Sequence, residues 1–274
     1  MTEFPLRLMG VINVTPDSFS DGGRFLDPAR AIELGLQLRS EGADILDIGG
    51  ESTRPGSAPI PVEEELRRVL PVIEGLAQRE RSAVSVDTSK YEVARAALDA
   101  GATIVNDVTA GRCDPRMLPL VAERGATCVL MHMQGSPRSM QSNPAYVDVV
   151  REVADFLRER VDAALSVGVD RERIWIDPGI GFGKTMVHNL ELLRNLDRFA
   201  TLGCAVLIGT SRKSFLGKLL DNAPADQRLH GTIASIAAAV MKGAHIVRVH
   251  DVKAAVEATK VADAVVRTSK VKTP

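Results

Sequence analysis

Short apolar, β-branched runs alternate with long amphipathic stretches from one end of the chain to the other, and about eight such units can be counted. The apolar runs cover residues 8–14, 43–49, 83–87, 103–108, 127–131, 174–177, 205–209 and 245–249. The stretches between them place apolar side chains at helical spacing over 28–40, 62–78, 92–99, 115–123, 147–166, 189–199, 232–241 and 252–268. Helix ends are punctuated. Asp27 with Pro28 and Asp114 with Pro115 read as an N-cap followed by proline at the first helical position, and Gly42, Gly101, Gly125, Gly168, Gly203 and Gly243 stand where helices should stop. Strict strand-helix alternation needs a parallel sheet, and about eight repeats close it into a (β/α)8 TIM barrel, one domain over residues 1–274. An open doubly wound sheet is the structural alternative. The interval 209–228 alone breaks helix periodicity with a second polar stretch.

The first strand hands over abruptly to polar sequence, MGVINVTPDSFSDGG over residues 9–23. Val11, Ile12 and Val14 suit a strand covered on both faces, and Pro16 with Gly22 and Gly23 forbids regular structure beyond it. Asn13 lies inside the apolar run. An unpaired amide there costs about 1 to 3 kcal/mol, so Asn13 either ties down backbone or holds a ligand.

Composition narrows the function classes. A net charge of −1 leaves no basic field for nucleic acid or an anionic membrane, so any anionic ligand must be held locally. Three scattered cysteines, Cys113, Cys128 and Cys204, form no CxxC and no disulfide framework, which fits a reducing cytoplasm. The longest apolar run, 233–241, is too short to span a bilayer, and the opening residues have no secretory apolar core. The basic tail 267–274 reads as a frayed terminus, and the short lead-in before Met9 predicts a thin layer at the barrel bottom.

In a barrel the working residues sit at the C-terminal ends of the strands, and nearly every strand here ends in polarity. The rim comprises Asn13; Glu51, Thr53 and Arg54; Asp87; Asn106 and Asp107; His132; Asp177; Ser211, Arg212 and Lys213; and Arg248, His250 and Asp251. Each has a plain structural reading. Asp87 can cap the next helix, Asp177 before Pro178 can start a turn, and His132 between two methionines suits a core histidine. Taken together, Asp87 and Asp177 as acceptors, Asn106 as both donor and acceptor and Lys213 as donor match a flat amino-pyrimidinone ring, with Met131, Val108 and Phe182 as apolar wall. Arg54, Arg248 and His250 gather positive charge for an anion, and Asn13 with Asp17 or Asp21 offers oxygen to a phosphate-bridging Mg²⁺. The glycines of DPGIGFGKT do not have dinucleotide or P-loop spacing. With no GxSxG elbow and no HExxH, covalent catalysis is disfavoured.

These motifs, in order, carry a resemblance. NVTPDSFSDGG (13–23), GGESTRPG (49–56), VDTSK around Asp87, NDV (106–108), MHMQGSPRSMQ (131–141), DPGIGFGKT (177–185), TSRKSFLG (210–217) and RVHDV (248–252) are similar to those of the dihydropteroate synthase family, the sulfonamide targets of folate biosynthesis. The resemblance implies a TIM barrel joining 6-hydroxymethyl-7,8-dihydropterin diphosphate to p-aminobenzoate with release of pyrophosphate. It implies that Asp87, Asn106, Asp177 and Lys213 hold the pterin beside Met131 and Phe182. Thr53, Arg54, Arg248 and His250 would meet the diphosphate, with Asp87, Asp177, Lys213 and Arg248 as the catalytic set. Phe19, Pro55, Phe182, Lys213 and Ser214 would surround p-aminobenzoate, Asn13 would bind Mg²⁺, and two copies would pair as a homodimer, the Ala-rich 232–241 segment being one candidate face. A pterin-binding methyltransferase and a catalytically silent paralogue are the alternatives. Neither is favoured, because the STRPG and SRKS loops are intact.

Overall fold

Eight strands, each parallel to its neighbours, close into a barrel in the order of the sequence. They are β1 (Arg7–Asn13), β2 (Ile45–Gly49), β3 (Ala83–Asp87), β4 (Ile104–Asp107), β5 (Thr127–Met131), β6 (Ile174–Asp177), β7 (Ala205–Ile208) and β8 (Ile246–Val249), and β8 returns to pair with β1. The structure is a computed structural model and describes residues 4–15, 27–54, 56–79 and 83–266. The helices are α1 (Pro28–Ser40), α2 (Val62–Arg79), α3 (Tyr91–Asp99), α4 (Met117–Glu123), α5 (Val149–Ser166), α6 (Met186–Arg194), α7 (Leu196–Ala200), α8 (Ser214–Leu219), α9 (Leu229–Met241) and α10 (Val252–Val266).

The strands alternate between two cores, as a period of two requires. Leu46, Ile48, Val84, Val86, Val105, Leu130, Ile176, Val206 and Val247 face outward into the layer shared with the helices. Met9, Ile45, Ile104, Val129, Trp175, Leu207 and Ile246 point inward and fill the lower barrel. Phe4 packs against this inner cluster and stands edge-on to His245 at 5.3 Å, so the short lead-in still supplies a plug. The barrel is a packed core below and becomes a site where the inward positions turn polar.

Three helix expectations needed correction. The single helix expected over 189–199 is two, because Asn195 leaves helical geometry (φ −114°, ψ 29°) between α6 and α7. Its amide donates back to Glu191 O at 2.8 Å, the local bond that lets asparagine end a helix. Pro115 does not open α4: Asp114 accepts from the Arg116 N–H at 2.8 Å in a side-chain turn, and the helix starts at Met117. The polar interval 209–228 contains α8 and a 3₁₀ turn, Ala225–Gln227, and α9 begins at Leu229 rather than Thr232. Asp27 caps α1 as expected, accepting from Ala29 N at 2.9 Å. The expectations for the segment 16–26, Pro55 and the tail 267–274 fall outside the described residues.

Candidate active site

The site grows from strand register. Asn13 pairs with Gly49, Gly49 with Asp87 and Asp87 with Asn106, while Met131 pairs with Asp177 two strands further on. Last-turn residues of separate strands are thereby brought to one rim, and inward alternation aims Asp87, Asn106, Asp177 and Arg248 at the barrel axis.

At the centre lies a network with a member that sequence reading missed. Arg248 donates through Nε to Asp47 Oδ2 at 2.6 Å and through Nη2 to Asp87 Oδ2 at 2.8 Å, and Asn106 Nδ2 donates to the same Asp47 oxygen at 3.1 Å. Asp47 is fully buried in β2, and its Oδ1 has no hydrogen-bond partner among the described residues. Its signal was available, since a carboxylate inside ILDIG breaks an apolar run just as Asn13 does. Burial, reinforced by Asp47, pushes the Asp87 carboxyl up to about 7 against the pull of Arg248. Burial would lower Arg248, but Asp47 and Asp87 outweigh it and hold the guanidinium above its ordinary value.

Asp177 performs the turn role and faces the site as well. Its Oδ1 accepts from Gly179 N at 2.7 Å, and burial raises its pKa against the opposing Lys213. Lys213 donates to Ile180 O and stands 4.6 Å from the centroid of the Phe182 ring. Burial pulls it down to about 8, with Asp177 opposing. The residue before it, Arg212, is held at φ +59°, a strained conformation for a side-chain-bearing residue. The strain is braced: Arg212 N donates to Thr232 Oγ1 at 3.1 Å, its guanidinium forks onto Asp251 at 3.0 and 2.6 Å, and Arg228 grips its carbonyl at 2.8 Å.

Met131, Val108, Met133 and Met140 form a separate apolar cluster with Phe182 packed against it, giving the polar set one soft wall. Of the anion candidates, Arg248 and His250 lie at the end of β8, and Thr53 and Arg54 in the segment after β2. His250 Nδ1 lies 3.0 Å from Ser211 Oγ, and burial, with Arg248 next, drives its pKa down to about 4, so it is neutral near pH 7. Arg54 is exposed, and Thr53 half-buried, in the segment after β2. Ser214 is exposed at the start of α8, and Phe19 and Pro55 lie outside the described residues.

Several rim residues are structural. Asp107 satisfies Thr109 N, Thr109 Oγ1 and Gly111 N, each at 2.7 Å, and so shapes the turn after β4. Glu51 accepts from Ile60 N at 3.0 Å and from Lys90 at 2.5 Å, and Lys90 also donates to Glu65, which is buried in α2. This brace ties the segment carrying Thr53 and Arg54 to α2. His132 is the core histidine expected, edge-on to Phe156 at 4.9 Å and pushed down to about 3 by burial.

Among the described residues no group of three or more His, Cys, Asp or Glu could hold a metal. Asn13, half-buried at the end of β1, supplies one oxygen at the rim. That fits Mg²⁺ held by one or two protein oxygens with phosphate and water completing the shell. Asp17 and Asp21 lie outside the described residues. Cys113, Cys128 and Cys204 are free thiols, and burial pushes Cys128 up to about 12.

Residues 9–250 match the family model described as pterin binding enzyme. The chain is 47% identical over 258 residues to the dihydropteroate synthase of Escherichia coli strain K12, covering 94% of this chain and 91% of that protein. The solved Xanthomonas albilineans dihydropteroate synthase with 4-aminobenzoic acid superposes with a TM-score of 0.90 at 50% identity, covering 98% of this chain and 94% of that one. The same organism's enzyme in complex with 7,8-dihydropteroate gives 0.87 at 47% identity, covering 98% and 95%.

Proposed function

The chain belongs to the pterin-binding enzyme family, among its dihydropteroate synthases, and from that premise we propose how its barrel mouth joins a dihydropterin diphosphate to p-aminobenzoate. The observation that supports the reading most is the Asp47, Asp87, Asn106 and Arg248 network, with Asp177 and Lys213 at the same rim and a methionine-rich apolar cluster carrying Phe182. Ionised Asp87 and Asp177 accept ring N–H groups of the pterin, Asn106 both donates and accepts, and Lys213 donates to a ring acceptor. Met131 and Phe182 cover the ring faces.

The diphosphate lies toward Thr53, Arg54, Arg248 and His250. With its pKa near 4, His250 serves as a neutral hydrogen-bonding group, and the positive charge comes from the two arginines. Asn13 would hold Mg²⁺, which would supply charge neutralisation for the diphosphate as it leaves. Bond breaking between the pterin methylene and the diphosphate oxygen builds positive charge on the pterin, which Asp87 and Asp177 face. The amine of p-aminobenzoate, placed by Phe182, Lys213 and Ser214 with Phe19 and Pro55, attacks the methylene and loses a proton. No protein nucleophile is required, in keeping with the burial of Cys128 and Cys204.

A second copy would pack on the α9 and α10 face, where Met241, Val261, Val265 and Val266 are exposed, giving a homodimer in a reducing cytoplasm. Among the described residues no helix is long and apolar enough to cross a membrane. Light scattering of the purified protein tests the dimer. The functional test follows pyrophosphate with and without p-aminobenzoate and Mg²⁺. Release requiring both is the expected result; release independent of the amine, or none at all, defeats the reading.

A further inference from the structure

Lys184 carries a buried amine for which the reaction above has no use. It is 3% exposed, and no carboxylate lies within ion-pairing distance among the described residues. Its Nζ donates to Phe182 O at 2.9 Å and His132 O at 3.4 Å and lies 2.9 Å from His132 Nδ1. Burial drives Lys184 down to about 7, Asp177 opposing, and His132, pushed down to about 3, is neutral. Burying an ammonium on neutral partners is costly, so a hydrophobic residue would have been the cheaper way to fill this space.

What the ammonium joins explains its place. The loop after β6 passes so close to the loop after β5 that a Cβ on Gly179 would stand 1.9 Å from His132 O, and one on Gly183 would stand 2.6 Å from Gln134 O. Five consecutive carbonyls of this loop each accept from a different donor. Phe182 N holds Gly179 O at 3.1 Å, Lys213 holds Ile180 O, Gln141 holds Gly181 O at 2.6 Å, Lys184 holds Phe182 O at 2.9 Å and Tyr146 holds Gly183 O at 2.8 Å. Gln141 and Tyr146 reach across from the β5 loop itself, and Lys184 reaches the other way, from the β6 loop to His132. The Phe182 ring, on the other side of the same residue, meets Lys213.

We infer that Lys184 is a positioning residue: its ammonium clasps His132 to Phe182 from behind and so sets where the Phe182 ring stands for the arylamine. The inference rests on the functional reading for its substrate. Asp177, anchored separately through Gly179 N at 2.7 Å, keeps its own geometry without Lys184.

The test uses the full-length Lys184→Met protein. Three quantities are measured: the Kd for dihydropterin diphosphate with Mg²⁺, the KM for p-aminobenzoate with kcat, and hydrogen exchange over 178–185. The expected result is a KM about tenfold higher, with kcat within about threefold and the pterin Kd weakened by clearly less than the KM, because Met131 and the pterin's polar partners stay in place when the Phe182 ring shifts. Exchange over 178–185 should quicken while the barrel strands stay unchanged. An unchanged KM, or KM and pterin Kd weakening by one common factor, overturns the inference. If Lys184→Met does not fold, His132→Phe keeps the ring packing and removes the side-chain acceptor. The same split at smaller size is then expected, and its absence overturns the claim. A wild-type protein without amine-dependent turnover defeats the functional reading, whereas the exchange comparison still decides the clasp.

Discussion

The two mouths of this barrel both carry arginines and put them to different ends. At the N-terminal mouth a cavity of about 340 Å³ is lined by Arg7, Arg124, Arg173 and Trp175. There Arg124 pairs with Asp99, whose side chain is 54% exposed, and Arg173 donates to Gly125 O at the surface. At the C-terminal mouth Arg248 lies between Asp87 and Asp47, and Asp47 is 0% exposed. Water screens the first set more than the second, where Arg248 is 23% and Asp87 11% exposed. The lower arginines can therefore be lost at little cost, whereas the upper one holds together charges that would otherwise be unstable. Burial of the carboxylate, more than the presence of a cation, separates an ordinary surface pair from a site.

The sharpest way to break the contrast is to remove the cation at each end. Arg248→Met should cost about 3 to 5 kcal/mol in urea unfolding because it leaves Asp47 and Asp87 buried and unpaired. Next in size, Asp177→Asn should weaken pterin binding by about a hundredfold in a fluorescence titration, since an acceptor facing ring N–H groups becomes partly a donor. Unchanged affinity would remove Asp177 from the pterin set.

Titration sharpens the same comparison. Asp87, raised to about 7 in the folded protein, binds more protons there than in the unfolded chain between about pH 4 and 7. Its contribution to stability is therefore greatest at low pH and falls as pH rises through that window. Pterin binding, which uses the ionised form, should run the other way and strengthen about tenfold from pH 6 to pH 8 in a calorimetric series. A flat series would show that Asp87 is already ionised at pH 6. The smallest effect belongs to the lower mouth: Arg124→Met should change unfolding free energy by less than about 1 kcal/mol and leave pterin affinity unaltered.

Legibility in the sequence followed the range of the forces involved. The strands were readable within a residue or two because a period of two and a covered sheet are local patterns, and Asp27 announced α1 through a bond two residues long. Asp87, Asn106, Asp177 and Lys213 were readable as polar breaks at strand ends. Asp47 escaped because it sits in mid-strand, where polarity is unexpected, and Lys184 escaped because GKT invites comparison with a phosphate loop that the spacing excludes. Asp114 misled because the same side-chain bond that caps a helix can close a turn just before one.

By itself the sequence determined the alternation, the parallel closed barrel and the polarity of the rim, since each depends on the order of residues along a few turns of chain. Tertiary structure alone decided which polar residues became partners. Arg248 meets Asp47 across 201 positions, and Lys184 meets His132 across 52. Such pairings depend on shear and on which inward positions face one another when the sheet closes, and no local period encodes that.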